Sequence, residues 1–236
     1  MANTACFRPE MFTFLRQLKR HNNRDWFAKN KLRYETELRD PALQFIANFA
    51  PYLRKIHPEF VADPHPSRGS LFRIYRDTRF ASDKRPYKTH VGMRFSHSSG
   101  KDAHAPVFYV HLEPDNCFVA AGIWHPEQVA LSRVRMAIVE KPGEWKKAKG
   151  KLELEGDSLA RPPRGFCADH PFIEDLKRKD FIASEAFTDK QVCSPAFVTE
   201  VAAACRKMLP LVKFITAAVV TGQEERERDW TRSAFA

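Results

Sequence analysis

Cysteine is scarce in this chain: five residues in 236 (Cys6, Cys117, Cys167, Cys193, Cys205), an odd number, widely scattered and without a C-x-x-C pair. That excludes a disulfide framework and a thiolate zinc site, and fits reduced thiols in a cytoplasm. Long apolar runs are missing as well. None approaches the ~20 residues a membrane span requires, and residues 1–9 lack the apolar stretch of a signal peptide. A cytoplasmic protein with no membrane partner is therefore expected. No G-x-S-x-G, Walker loop, G-x-G-x-x-G or H-E-x-x-H occurs. No nucleophile elbow, phosphate cradle, dinucleotide turn or zinc helix is announced, and no cofactor is expected. Internal repeats and an obvious linker are absent too, so residues 1–221 read as one domain, followed by a charged tail at 222–236.

What is present is ample core material and an excess of positive charge. Apolar residues make up 43% and charged residues 29%, with 19 Phe and 4 Trp, a balance that excludes disorder as the default. The net charge of +10 points to an anionic partner without saying which.

Periodicity divides the chain into three textures. The first sixty residues repeat apolar positions at helical spacing. Asn23 is suited to cap a second helix, and Asp40-Pro41 to open a third. From about Ser70 the spacing shortens to two. Strands are expected at 71–75, 89–95, 107–113 and 116–124, the last two joined by a tight turn at Pro114-Asp115. Helical spacing returns from Glu127, and Ser194-Pro195 opens a long final helix that Pro210 should kink or split. A short edge strand is expected at 181–183. The pattern is an α+β fold: an antiparallel meander sheet at about 70–124, packed by N-terminal and C-terminal helices.

The charge is concentrated. Residues 66–102 hold nine basic side chains and three acidic ones. Within them Arg73, Arg76, Arg79, Lys84, Lys88 and Arg94 are candidates for gripping an anion, since several guanidinium groups on one loop suit phosphate or carboxylate. Asp77 and Asp83 offer the competing outcome, in which the arginines only pin the loop. Strand parity places Phe108, Val110, Leu112, Cys117, Val119, Ala121 and Ile123 on an apolar face. Tyr109, His111, Glu113 and Trp124 fall on the opposite one, with His90 and Arg94 from the preceding strand and Arg73 and Tyr75 from the first. Tyr75, His90, Tyr109 and Trp124 would line a pocket there, and His111 and Glu113 are the candidate acid/base pair. Those two could also offer metal ligands, but nothing in the spacing supplies a third, and no metal is expected. Lys19 to Arg24 forms a second basic stretch, near Trp26 and Phe27, whose rings read as core.

Several segments resemble one family: N-N-R-D-W-F at 22–27, G-S-L-F-R-I-Y-R-D-T-R-F at 69–80, D-K-R-P-Y-K-T-H at 83–90, G-I-W-H-P at 122–126 and R-P-P-R-G-F at 161–166. They are similar to an uncharacterised bacterial and fungal family, the domain of unknown function 2461. The resemblance runs from about residue 9 to 214. It implies one α+β domain, and brings no established activity, cofactor or catalytic residue. Three functions stay open: a basic pocket for a phosphorylated or otherwise anionic small molecule, with acid/base chemistry; a non-catalytic nucleic-acid-binding module; and a scaffold whose arginines and aspartates only fix a loop. Oligomeric state is not legible.

Overall fold

The computed structural model describes residues 4–98 and 105–234, with side chains through residue 219. The charged tail expected at 222–236 lies outside the described side chains. Five strands, β1 (Phe60–Val61), β2 (Val91–His97), β3 (Val107–Glu113), β4 (Asn116–Ile123) and β5 (Phe181–Phe187), form one antiparallel sheet in sequence order. This is the expected α+β meander. No helix among the described residues is long and apolar enough to cross a membrane. The chain divides into two compact units, one of residues 1–96, 108–119 and 185–205, the other of 97–107, 120–184 and 206–236.

In the first unit, α1 (Pro9–Arg20) and α2 (Arg24–Lys29) begin as the sequence reading requires: Pro9 stands in the first turn of α1, and the Asn23 side chain accepts the Trp26 N–H at 2.9 Å. The next stretch differs. Asp40-Pro41 opens no separate helix. After a short α3 (Lys31–Arg33), a π-helical turn (Tyr34–Arg39) leads directly into α4 (Asp40–Ile56), with Asp40 itself at helical angles. The wider turn carries the chain past the proline, whose missing N–H would otherwise interrupt the ladder. Ala42, Phe45, Ile46, Phe49, Leu53 and Ile56 form the buried stripe of α4. Phe49 lies against Phe95 of β2 at 4.9 Å between ring centroids, and Phe60 against Phe108 at 5.0 Å. Phe45, Phe187 and Phe197 close the cluster at 5.4 and 5.5 Å. Helical residues from both ends of the sequence thus pack in this unit, Phe197 being the first of α9 (Phe197–Ala234), which follows the short α8 (Asp189–Val192).

Phe108, Val110, Leu112, Cys117 and Val119 are all buried, as parity requires. The strand expected at 71–75 is a correction. It survives only as two isolated bridges, Leu71 to Met93 and Tyr75 to Tyr87. Without a continuous ladder the alternation slips, and Phe72, not Arg73, lies over the polar face, with its ring 5.9 Å from Tyr109. Gly92 makes room for it: a side chain there would begin 2.7 Å from Tyr109 Oη and 3.0 Å from the Phe72 ring.

The second unit is held by buried polar groups around Trp145. The helices α5 (Gln128–Glu140), α6 (Pro142–Lys149) and α7 (Ile173–Leu176) follow the expected order. Asp175, 3% exposed, accepts from Trp145 Nε1 at 2.9 Å and Lys149 Nζ at 2.6 Å. Arg135 donates to the carbonyls of Leu176 and Arg178. Gly122 has φ +131°, and a Cβ there would meet the Phe181 carbonyl oxygen, so the close approach of the β5 backbone demands glycine. The long helix α9 runs unbroken through Pro210 instead of splitting there.

Candidate functional site

The polar face of β2 and β3 brings together four of the expected residues: His90, Tyr109, His111 and Glu113. The His90 and His111 rings lie 4.4 Å apart, and Phe118 stacks on His111 at 4.8 Å. Tyr109 Oη is 3.1 Å from His111 Nδ1. On the other side of the ring, His111 Nε2 is 3.7 Å from Glu113 Oε2, too far for a hydrogen bond, and it is buried with no hydrogen-bond partner among the described residues. Glu113 Oε1 in turn faces Lys19 Nζ at 3.5 Å and Thr89 Oγ1 at 3.4 Å.

Electrostatics keep this cluster neutral at its centre. Burial pushes the His90 pKa down to about 4, and His111 and Lys88 push the same way. Burial also lowers His111, with the nearby Glu113 pulling against it. Burial alone raises Tyr109 to about 12, so its phenol keeps its proton. For Glu113 burial acts upward, but Asn116, Lys19 and His111 outweigh it and hold the carboxyl below its usual value. A protonated phenol on Nδ1 and a carboxylate facing Nε2 favour the tautomer with its hydrogen on Nε2. The arrangement sets a phenol, a neutral imidazole and a carboxylate side by side, with the Tyr109–His111 hydrogen bond made and the His111–Glu113 gap open at 3.7 Å.

The arginine-rich segment is organised differently. Arg79 clasps Asp77 with Nε and Nη2 at 3.0 and 2.7 Å. Asp83 takes Arg85 Nη2 at 2.7 Å and Arg76 Nη1 at 2.6 Å, and its carboxyl sits well below the usual range because of the Arg85 hydrogen bonds first and Arg76 after them. Lys84 Nζ donates to the Thr78 carbonyl at 3.0 Å. The donor forks of Arg76, Arg79 and Arg85 are thus engaged within the loop.

Arg73 and Lys88 stand apart from these pairs. Neither forms an ion pair with a carboxylate among the described residues. Lys88 Nζ lies 5.0 Å over the Phe72 ring, and its pKa is lowered by burial and then by Arg73. Lys88 with Arg73 near it, beside neutral histidines, makes a locally positive surface. Arg94 is half-buried on β2, with its backbone N–H on the Ser70 carbonyl. Tyr75 packs on Tyr87 at 5.4 Å and Phe27 at 6.3 Å, and is 54% exposed. Trp124 belongs to the second unit, where it is exposed and lies 4.4 Å from the His125 ring.

Sequence reasoning missed the residues that hold the loop in place. The Asn22 side chain brackets the Tyr87 backbone, donating to its carbonyl at 2.9 Å and accepting its N–H at 3.0 Å. The Phe27 ring stacks on Tyr87 at 4.1 Å. Lys88 follows directly, so residues of the first two helices fix where that ammonium sits. The signal was present as two separate motifs, 22–27 and 83–90, with nothing local to join them.

No curated protein and no solved structure matches the chain. The match that is found covers residues 10–214 and is to the family described as conserved hypothetical protein (DUF2461). Spanning the helices, the sheet and the whole of the polar-face cluster, it establishes that the chain belongs to the DUF2461 family.

Proposed function

We propose that the polar face of β2 and β3, with the segment before it, receives a small phosphorylated or otherwise anionic molecule. The observation that carries this reading is Lys88, half-buried with its ammonium 5.0 Å over the Phe72 ring and in no ion pair among the described residues, with Arg73 near it; Asp77, which feels the Arg73 charge, is already clasped by Arg79. Burial disfavours the Lys88 charge, and a bound anion would offset that. In this reading Arg73 and Lys88 take the charge, and His90 donates a ring N–H. Arg76, Arg79 and Lys84 keep the loop in shape, and Arg94 flanks the site. His111 and Glu113 act on the bound molecule as acid/base groups, with Tyr109 hydrogen-bonded to His111. The scattered thiols suit a cytoplasmic setting.

A scaffold role is the second reading, and the Asp77–Arg79 and Asp83–Arg85 pairs favour it. Inorganic phosphate separates the two. Followed by thermal denaturation, a ligand at about a hundred times its Kd adds ~2.7 kcal/mol and raises Tm. Phosphate should raise the Tm of the protein and of Arg79→Ala, and should leave Arg73→Ala and Lys88→Ala unmoved. No rise in phosphate, sulfate or a dicarboxylate would leave the scaffold. DNA or RNA binding with a steep salt dependence, unaffected by these substitutions, would move the function to a polymer held elsewhere.

A further inference from the structure

We infer that the anion is the phosphate of a nucleotide, with the base stacked on the aromatic side chains beside Arg73; this rests on the anion reading above. Within nine residues the chain exposes three rings, Phe72 at 40%, Tyr75 at 54% and Phe80 at 96%. Exposed rings cost hydration free energy when nothing covers them, and three together on a scattered basis would be unusual. They are interleaved with cations: Arg73 lies between Phe72 and Tyr75, Lys88 sits over Phe72, and Arg79 lies 5.9 Å from the centre of the Phe80 ring. Rings that offer a face to a base, next to groups that take phosphate, are the chemistry by which proteins hold nucleotides. A purely apolar partner would gain nothing from the cations, and inorganic phosphate nothing from the rings.

The same inventory argues for a mononucleotide over a strand. Arg76, Arg79 and Arg85 are engaged by Asp77 and Asp83, and Lys84 by a carbonyl. That leaves Arg73 and Lys88, two positive charges, which match the roughly −2 carried by one phosphate monoester. A polymer track engages about 6–10 phosphates. The segment is also braced: Tyr75 packs against the stacked Phe27–Tyr87 pair, and Asn22 pins the Tyr87 backbone, so the Tyr75 ring is held before any ligand arrives. Preorganisation of that kind reduces the ordering cost of binding.

Isothermal calorimetry on the full chain with adenosine 5′-monophosphate, ribose 5-phosphate and inorganic phosphate tests this. The nucleotide should bind at least about fivefold tighter than ribose 5-phosphate, the smaller end of what one stacked base contributes. Tyr75→Leu, which keeps an apolar contact with Phe27 and Tyr87, should erase most of that preference and leave phosphate affinity unchanged. Phe80→Ala touches only an exposed ring and supplies a second variant if Tyr75→Leu folds poorly. Equal affinities for all three ligands overturn the nucleotide inference while the anion site stands. No heat with any of them overturns both. A single-stranded oligonucleotide binding far more tightly than the mononucleotide, with a log–log salt slope steeper than about −3, replaces the mononucleotide with a strand.

Discussion

His90 carries the clearest consequence of the charge arrangement at the scale of one residue. Its ring is kept neutral by burial, by His111 and by Lys88, and its pKa falls to about 4 in the folded chain against about 6.5 when unfolded. Above pH 6.5 both states are neutral there, and the contribution to stability is fully present. As pH falls from 6.5 towards 4 the unfolded chain takes up a proton that the folded chain refuses, and stability declines. The loss is at most about 3–4 kcal/mol, and smaller to the extent that water reaches the ring. Chemical denaturation at pH 7.5, 6 and 4.5 should show this decline, and His90→Gln should flatten it. A profile identical in the variant would mean the pH dependence arises elsewhere. The residues of this face were legible because a period of two assigns His90, Tyr109, His111 and Glu113 to one side whatever the rest of the fold does. Lys19, which reaches Glu113 from α1, was not. It lies 94 positions away, and no local pattern encodes so distant a partner.

At the scale of the element, legibility followed hydrogen-bond regularity. Strands β2, β3 and β4 were read nearly to their ends because each keeps a continuous ladder and a strict alternation. Residues 71–75 alternate equally well, yet they touch the sheet at one bridge only, Leu71 to Met93, and Phe72 turns over Gly92. Alternation reports which residues could share a face; the partner strand decides whether they do. The π-helical turn before Pro41 was missed for a related reason, since a cap followed by proline is the same pattern whether a helix starts or a wider turn intervenes. In the second unit, the short α7 owes its position to Asp175, whose carboxylate accepts from Trp145 and Lys149 at once. Asp175→Ala leaves the buried indole N–H without an acceptor and should cost about 2–3 kcal/mol. For a chain of this length that lowers Tm by roughly 5–10 °C. The near-ultraviolet dichroism of the folded protein should collapse at the lower temperature, and a variant melting with the parent would show the contact to be dispensable.

For the molecule as a whole, the meander order follows from the apolar face it must bury. Val110 is fully buried, with Phe108 and Leu112 on the same face. Val110→Asp places a carboxylate in that layer at a cost of several kcal/mol, comparable to the entire stability of many domains, and should abolish cooperative folding. Retained cooperative melting would mean that the face is not the core. The net charge of +10, by contrast, said that an anion was wanted but not where. Much of the basic loop is closed on its own aspartates, and such pairing is invisible to a count of charges. The margins of the sheet have one more consequence. At one end of the strand order β1 is two residues long, and at the other Ile182 of β5 is met by the irregular chain before it through a bridge to Glu155, with Ser158 bridging Arg178 just ahead of the strand. Unpaired backbone at a sheet margin is the usual template for one copy adding to the next. A stub on one side and a partial cover on the other shorten that template, so the segment at 155–158 should guard against strand addition alongside the surplus of charge.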